Sequence, residues 1–334
     1  MNSAILFAQV DEPRNRPSPA TKRRCRMPLS KKEKISSPDY PLLGKKFVEA
    51  SGNGQACKLP PGLYIVATPI GNLGDISLRA LATLARADAI ACEDTRNSGI
   101  LLKAFGIAKP AFSYHDHNED ARRPEIMQRI AKGEAIALIS DAGMPLIADP
   151  GFKLARDCRA AGLDVFVIPG ANAAVTALAG CGLPPDRFLF AGFLPPKSVA
   201  RKKEIAALKT VAATLVFYEA PQRLAASLAD LAETLGAERP AAVARELTKF
   251  YEETKRGTLA ELALHYEKNE ARGEIVIIVG EGEAVGTVDI DALLKERLKE
   301  LSVRDAVAEV AALTGAKKNE VYARALALST AQKK

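Results

Sequence analysis

Residues 135–151 read Ala135-Ile136-Ala137-Leu138-Ile139-Ser140-Asp141-Ala142-Gly143-Met144-Pro145-Leu146-Ile147-Ala148-Asp149-Pro150-Gly151. The first six make a short apolar run of strand length, and its lack of alternation predicts a buried strand. The loop that follows concentrates Asp, Gly and Pro. Asp149-Pro150-Gly151 then opens a helix expected to reach about Ala161, with Pro150 in its first turn and Asp149 as its cap. Strand, glycine-containing loop and helix together are the unit of an α/β sheet, which binds ligands beyond the carboxyl ends of its strands.

The same unit recurs on both sides. Leu63–Thr68 is an apolar strand running into Pro69-Ile70-Gly71-Asn72-Leu73-Gly74-Asp75, with a helix over 78–85. Ala89–Cys92 is a short strand followed by Glu93-Asp94-Thr95-Arg96, and helices are expected over 100–105 and 121–132. Val165–Ile168 leads into Pro169-Gly170 and a small-residue helix over 171–179. Strands alternating with helices predict a largely parallel sheet in a first α/β domain, 61–184. After a break at Gly182-Leu183-Pro184-Pro185, strands over 188–191, 214–218, 241–246 and 274–279 alternate with helices over 197–209, 222–235 and 259–266. They predict a second α/β domain, 185–283. Past a Gly- and Glu-containing linker, helices over 290–301, 303–313 and 320–328 form a small C-terminal helical domain, 288–330, with Ser302 and Asp305 patterned as a cap. Two of these helices joined through Gly315 form either a helix-turn-helix or a plain helical appendage.

The chain has 334 residues and a net charge of +7. All of that excess sits in residues 1–60, which hold 12 Lys+Arg against 5 Asp+Glu and seven of the 20 prolines. The remaining residues hold 35 of each sign, so nucleic-acid binding by the body needs local patches rather than net charge. The 1–60 segment, with Lys22, Arg23, Arg24 and Arg26, is expected to be a disordered basic tail, either an RNA-touching arm or a non-native extension. No apolar run approaches a membrane span, and no signal peptide is read at the start. Five scattered cysteines without a C-x-x-C pair point to reduced thiols in a cytoplasmic protein, with no zinc ribbon.

No P-loop, no G-x-G-x-x-G after the first strand, no H-E-x-x-H and no G-x-S-x-G occurs. What remains is three strand-end loops, 69–75, 141–151 and 169–173, where Gly and Pro let backbone groups approach a ligand. Taken singly each is also an ordinary tight turn. In 93–96, Asp94 is placed to orient a hydroxyl and Arg96 to hold a phosphate, or else Asp94 or Thr95 caps a helix beside an Arg salt bridge. His115-Asp116-His117-Asn118-Glu119 reads better as a polar loop than as a metal cluster. Charged residues ending the strands at 217–223 and 245–249 suggest a cleft between the domains. Lys197, Arg201, Lys202 and Lys203 make a basic run that meets phosphates or is a solvated helix face.

The segments ATPIGNLGDIS (67–77), EDTR (93–96), HDHNE (115–119), SDAGMPLIADPG (140–151), FYEAPQR (217–223) and RELTK (245–249), in this order, resemble the ribosomal-RNA-methylating branch of the tetrapyrrole methylase family. The resemblance spans about 61–330. It implies two α/β domains with S-adenosylmethionine in the cleft between them, and 2′-O-methylation of a cytidine ribose at the decoding centre of 16S rRNA in the small ribosomal subunit. It also implies a cytoplasmic homodimer needing no metal and no membrane. The sequence departs from the family at Met144, where Thr is common, at Ala171 and Asn172, where Pro followed by Ser or Cys is common, and at Gln222, where His is common. Carried over by position, the cofactor should meet Pro69, Asp141, Ala142, Gly143, Pro145, Ile147, Asn172, Ala173, Tyr218 and Leu247.

A ribose hydroxyl is a poor nucleophile, so a base or a positive group should assist it; the candidates are Asp94, Glu246 and Lys249. RNA contacts are expected from Arg96, Lys197 and Arg201, and from Lys317, Lys318 and Arg324 in the C-terminal helices. Two rival readings are a small-molecule tetrapyrrole methylase and a non-catalytic ribosome-assembly factor acting through the basic tail.

Overall fold

A computed structural model describes residues 39–50, 58–282, 290–314 and 316–331. The chain runs α1 (Tyr40–Ala50), β1 (Gly62–Val66), α2 (Leu78–Arg86), β2 (Ala89–Cys92), α3 (Thr95–Ala104), β3 (Ala111–Ser113), α4 (Glu119–Ala131), β4 (Ala135–Ile139), α5 (Phe152–Ala160), β5 (Val165–Ile168) and α6 (Ala173–Cys181). The first sheet has the order β3-β2-β4-β1-β5, and every pairing in it is parallel. Every residue of β1, β2 and β4 is buried. Alternate residues serve opposite layers: Tyr64, Val66, Ile90, Cys92, Ala137 and Ile139 pack on one face. Leu63, Ile65, Ala89, Ala91, Ile136 and Leu138 pack on the other. Helices on both faces explain why these strands read as continuous apolar runs.

The second domain runs β6 (Phe188–Phe193), α7 (Ser198–Ala207), β7 (Thr214–Glu219), α8 (Leu224–Leu235), β8 (Pro240–Arg245), β9 (Glu253–Thr258), α9 (Leu259–Lys268) and β10 (Ile275–Val279). Its sheet has the order β6-β7-β10-β8-β9, with only β6 and β7 parallel. Ile205 of α7, Leu228 and Leu231 of α8 and Leu259 and Leu262 of α9 cover one face. The other face is covered by α6, whose Ala174, Ala177, Leu178 and Cys181 pack on Val216, Ala242, Ala244, Val276 and Ile278. Thus α6 follows the last strand of the first sheet but packs on the second. The last helices, α10 (Ile290–Arg297), α11 (Val303–Thr314) and α12 (Lys318–Ala331), share a small core of Leu294, Val307, Val310, Val321 and Ala325. The expected cap forms, with the Asp305 amide donating to Ser302 Oγ at 3.3 Å. No helix among the described residues is long and apolar enough to cross a membrane.

Three expectations are corrected. The basic segment 1–60 is not disordered over Tyr40–Ala50, which forms α1 with Val48 buried in the first core. Its contact with the body is close at Gly44, where a Cβ would lie 2.5 Å from the Phe105 ring. Charge and proline content averaged over sixty residues hid this short amphipathic piece; residues 1–38 and 51–57, with the Lys22–Arg26 cluster, lie outside the described residues. Second, β3 and β9 were not foreseen. β9 reads Glu-Thr-Lys-Arg-Gly-Thr, with no apolar side chain, and owes its form to pairing with β8 along a sheet edge. Third, α5 starts at Phe152 with Gly151 at the cap (φ 122°) and no side-chain cap bond. Asp149 and Pro150 therefore stand outside that helix, and Asp149 is free for another role.

Because α1 fills part of the first core, deleting residues 1–57 should lower the melting temperature, measured by calorimetry, more than deleting residues 1–38 does. Equal midpoints would show that α1 contributes nothing to stability.

Candidate functional site

The parallel strands of the first sheet end on one edge, so the loops after β1, β2, β4 and β5 gather there. The β1 and β4 loops are tied to each other. The Thr68 amide donates to the Gly143 carbonyl at 2.8 Å, and the Gly143 amide donates back to Thr68 at 3.1 Å. Thr68 Oγ1 also donates to the Ser140 carbonyl at 3.2 Å. Gly143 sits at φ 83°, a conformation that glycine adopts without strain. Beyond β5, Asn172 caps α6 by accepting from the Val175 amide at 3.0 Å.

These loops and the second sheet enclose a cavity of about 360 Å³, within the size range of small-molecule sites. Its apolar wall includes Ile70, Met144, Ile147, Phe193 and Leu247. Its ionisable groups are all acidic: Glu93, Asp141, Asp149, Glu219 and Glu274, with no Lys, Arg or His. Three of these carboxylates are committed elsewhere, Glu274 among them through Lys249 at 3.1 Å. Glu219 pairs with Arg223 and accepts from Ser227. Asp141 accepts from Asn97 Nδ2 at 2.8 Å. Burial, reinforced by Asp141 and Asp116, pushes the Glu93 carboxyl up. Burial also pushes Asp149 up to about 6, against a bond from Ser140 and with help from Glu93 and Asp141. Such a cavity suits a ligand with a flat apolar part and cationic centres.

A second cavity, about 300 Å³, adjoins the first and shares Ile70, Asp141, Ala142 and Glu274 with it. Pro69, Leu73, Ile100 and Leu101 give it apolar walls, and Asn97 and Lys249 give it polar ones. Lys249 Nζ lies 2.8 Å from Glu246 and 3.1 Å from Glu274. Burial opposes its charge, but the bonds from the two carboxylates win and hold the ammonium above the ordinary lysine range. Lys249 in turn holds Glu246 below the ordinary carboxylate range. The non-glycine residues with positive φ among the described residues are Leu146, Ala148, Glu246 and Thr248. All four lie in the two loops that border the first cavity, where strain of about 1–3 kcal/mol per residue is held by surrounding structure.

Of the residues expected at a cofactor, Asp141, Ala142, Gly143 and Ile147 line the first cavity, as do Asn172, Ala173, Tyr218 and Leu247. Pro69 lines the second cavity instead, and Pro145 is buried beneath its loop. Asp94 lines neither. It caps α3, accepting from the Arg96 amide at 2.8 Å, and its carboxylate pairs with the Arg96 side chain at 2.9 Å. That bonding holds Asp94 low, so the capping alternative describes this residue. Glu246 meets the site through Lys249.

Arg201 is corrected as an RNA contact. It is 3% exposed, its Nε lies 2.7 Å from Asp230, and it donates to the Pro196 carbonyl. Removing one partner of such a buried pair typically costs about 3–5 kcal/mol. Arg96, Lys197, Lys317 and Lys318 are exposed. In 115–119, Asn118 accepts from the His115 amide at 2.9 Å, and the buried Glu119 pairs with Lys153 at 2.6 Å. Among the described residues no group of three or more His, Cys, Asp or Glu is arranged to hold a metal. Sequence reasoning missed Glu93, Asp149 and Glu274 as site residues; the signal available was a carboxylate in a strand-end loop for the first two and one just before a strand for Glu274.

Residues 62–263 match the family described as Tetrapyrrole (Corrin/Porphyrin) Methylases, and residues 284–329 match one described as RsmI C-terminal HTH domain. The second match favours the helix-turn-helix reading of the last helices. The chain is similar to the ribosomal RNA small subunit methyltransferase I of Mesorhizobium japonicum, 50% identical over 273 residues covering 81% of this chain and 93% of the relative. It is 52% identical over 274 residues to the protein of that name from Erythrobacter litoralis, covering 81% and 97%. Among solved structures it is similar to a diphthine synthase, with a TM-score of 0.53 and 16% identity over 65% of this chain and 89% of that one, a likeness of fold alone.

Asp149 titrates higher in the folded chain than in the unfolded one. The folded state therefore binds the extra proton between about pH 4 and 6, and stability falls as pH rises through that window. Asp149→Asn should remove this fall and raise the melting temperature at pH 7.5 in ligand-free protein. A pH-stability profile that parallels the wild type would overturn the assignment.

Proposed function

The chain belongs to the tetrapyrrole (corrin/porphyrin) methylase family, and from that premise we propose that it transfers a methyl group from S-adenosylmethionine to 16S rRNA of the small ribosomal subunit. The acceptor is the ribose 2′-hydroxyl of a cytidine, at the position numbered 1402. The observation that carries this reading is the pair of adjoining cavities, one acidic and one holding Lys249, in a chain about half identical to proteins named for small-subunit rRNA methylation. The last helices, with Lys317 and Lys318 exposed, supply a further surface for RNA, and the protein works as a cytoplasmic homodimer.

The first cavity fits the cofactor by its donor set. S-adenosylmethionine carries a sulfonium and an ammonium, and the cavity is lined by carboxylates and by no Lys, Arg or His side chain. When bound, it supplies a methyl group already activated by the positive sulfur. Met144 and Ile147 give an apolar seat, while Asp141 and Ala142 shape the wall shared with the second cavity.

The chain's own work is alignment and charge. The second cavity seats the acceptor nucleoside between Leu73, Ile100 and Leu101. A hydroxyl seated there would lose its proton as its oxygen bonds the methyl carbon, the methyl–sulfur bond would break with its electron pair left on the sulfur of S-adenosylhomocysteine, and negative charge would develop on the oxygen on the way. Lys249, kept protonated by Glu246 and Glu274, faces that charge as an electrostatic stabiliser rather than as a base. Glu274 lines both cavities and is the carboxylate beside Lys249 that takes the hydroxyl proton. Asp94 acts from a distance, by capping the helix that carries Asn97 and Ile100.

The reading is tested by methyl transfer from labelled cofactor to 30S particles from cells lacking the modification, to naked 16S rRNA and to a tetrapyrrole. Label recovered as 2′-O-methylcytidine supports it; label in the tetrapyrrole alone overturns it in favour of a small-molecule methylase. Lys249→Met should lower kcat on 30S particles by about 100-fold or more, with S-adenosylhomocysteine affinity changed less than about threefold by calorimetry, since Lys249 borders only the second cavity.

A further inference from the structure

Lys249 runs directly into Phe250 and Tyr251, whose rings meet edge to face with centroids 4.9 Å apart. They are 91% and 67% exposed, and no other large hydrophobic side chain among the described residues is as exposed as Phe250. The turn carrying them is stiff. The Thr248 amide donates to Glu252 Oε2 at 2.7 Å, the Lys249 amide to the Glu246 carbonyl at 3.0 Å, and the Glu252 amide to the Lys249 carbonyl at 3.2 Å. Glu246 and Thr248 hold positive φ. The rings are thus presented to solvent by a braced loop rather than left loose on a floppy one.

We propose that Phe250 and Tyr251 form a stacking platform for an unpaired base that flanks the nucleotide to be methylated. This rests on the rRNA reading above. Consecutive Cα atoms are about 3.8 Å apart, so the backbone carrying the platform starts one step from Lys249, which lines the second cavity. An acceptor nucleotide in that cavity is joined to neighbours on both sides, and one of them must pass the mouth. Single-stranded RNA is held chiefly by bases stacked on exposed aromatic rings, an interaction tolerant of sequence.

A second copy of this chain fits the patch less well. A stable interface buries roughly 800 Å² per partner around an apolar centre. Here the two rings directly precede Glu252 and β9, an edge strand that brings Glu253, Lys255 and Arg256 and no apolar side chain.

The chain has no tryptophan, so Phe250→Trp installs a single reporter at the platform. Single-stranded oligocytidylate should quench its emission. The double variant Phe250→Ala/Tyr251→Ala should raise KM for unmodified 30S particles by about 10- to 100-fold, with the affinity for S-adenosylhomocysteine unchanged. Phe250→Trp should restore the affinity lost in Phe250→Ala. An unchanged KM in the double variant overturns the proposal, as does a fall from dimer to monomer by sedimentation, which would give the patch to a second copy. If the wild-type protein methylates no RNA, the rRNA reading fails and takes the platform with it; if it methylates RNA and the variants do too, the platform alone fails.

Discussion

The packing of α6 on the second sheet is the contact on which the site depends. Its Ala174, Ala177, Leu178 and Cys181 meet Val216, Ala242, Ala244, Val276 and Ile278, and Ile70 and Leu247 join the same cluster. Small side chains let the helix come close to the sheet. The helix begins at Asn172, which lines the first cavity, and Ile70 and Leu247 line it from the two domains. One apolar contact therefore sets both the angle between the domains and the width of the cleft. A ligand in the cleft bears on groups already fixed by the core, so recognition needs little reorganisation.

The electrostatics of the cleft oppose the folding of the empty protein. Glu93 and Asp149 sit where burial disfavours their charged forms, and four residues around them hold strained backbone. Neither feature aids stability. Both are understandable as preparation for a cationic ligand, whose positive centres would offset the unpaired carboxylates. Local cost at a site held by a stable scaffold is the pattern expected where function overrides folding. On the other side of the shared wall Lys249 brings the ammonium that the first cavity lacks, beside the carboxylates of Asp141 and Glu274.

What could be read from residues alone followed burial. β2 falls where its apolar run predicted, and β1 and β4 nearly so, because both faces of these strands are covered, while the edge strand β5 falls as predicted with only Ile168 buried. β9 was invisible because an edge strand of charged residues has no periodicity to detect. Asp149 was misread for a specific reason: Asp-Pro-Gly imitates a helix start, yet Gly151 takes the cap position at φ 122° and leaves the carboxyl to the cavity. Arg201 looked like part of a solvated basic run because its partner, Asp230, lies 29 residues away on another helix. The roles of one carboxylate and one guanidinium thus turned on tertiary neighbours that no local pattern encodes.

The position of Lys249 shows how the two domains share one charge. Gly71, in the loop after β1, is so close that a Cβ there would stand 2.4 Å from Lys249 Cγ. Gly273, before β10, is equally tight on Glu246, with a Cβ 2.3 Å from its carboxyl carbon. The Lys249–Glu246 pair is therefore clasped between a glycine of the first domain and a glycine of its own. Both glycines also hold positive φ, at 138° and 83°, so a larger residue would strain the backbone as well as the clasp. The loop 69–75 serves less as a cofactor cradle than as the surface over which a second-domain lysine is laid. An ammonium held this way points where the packing of the two domains places it, so the oxyanion-stabilising role proposed for Lys249 requires the domains to be packed as α6 packs them.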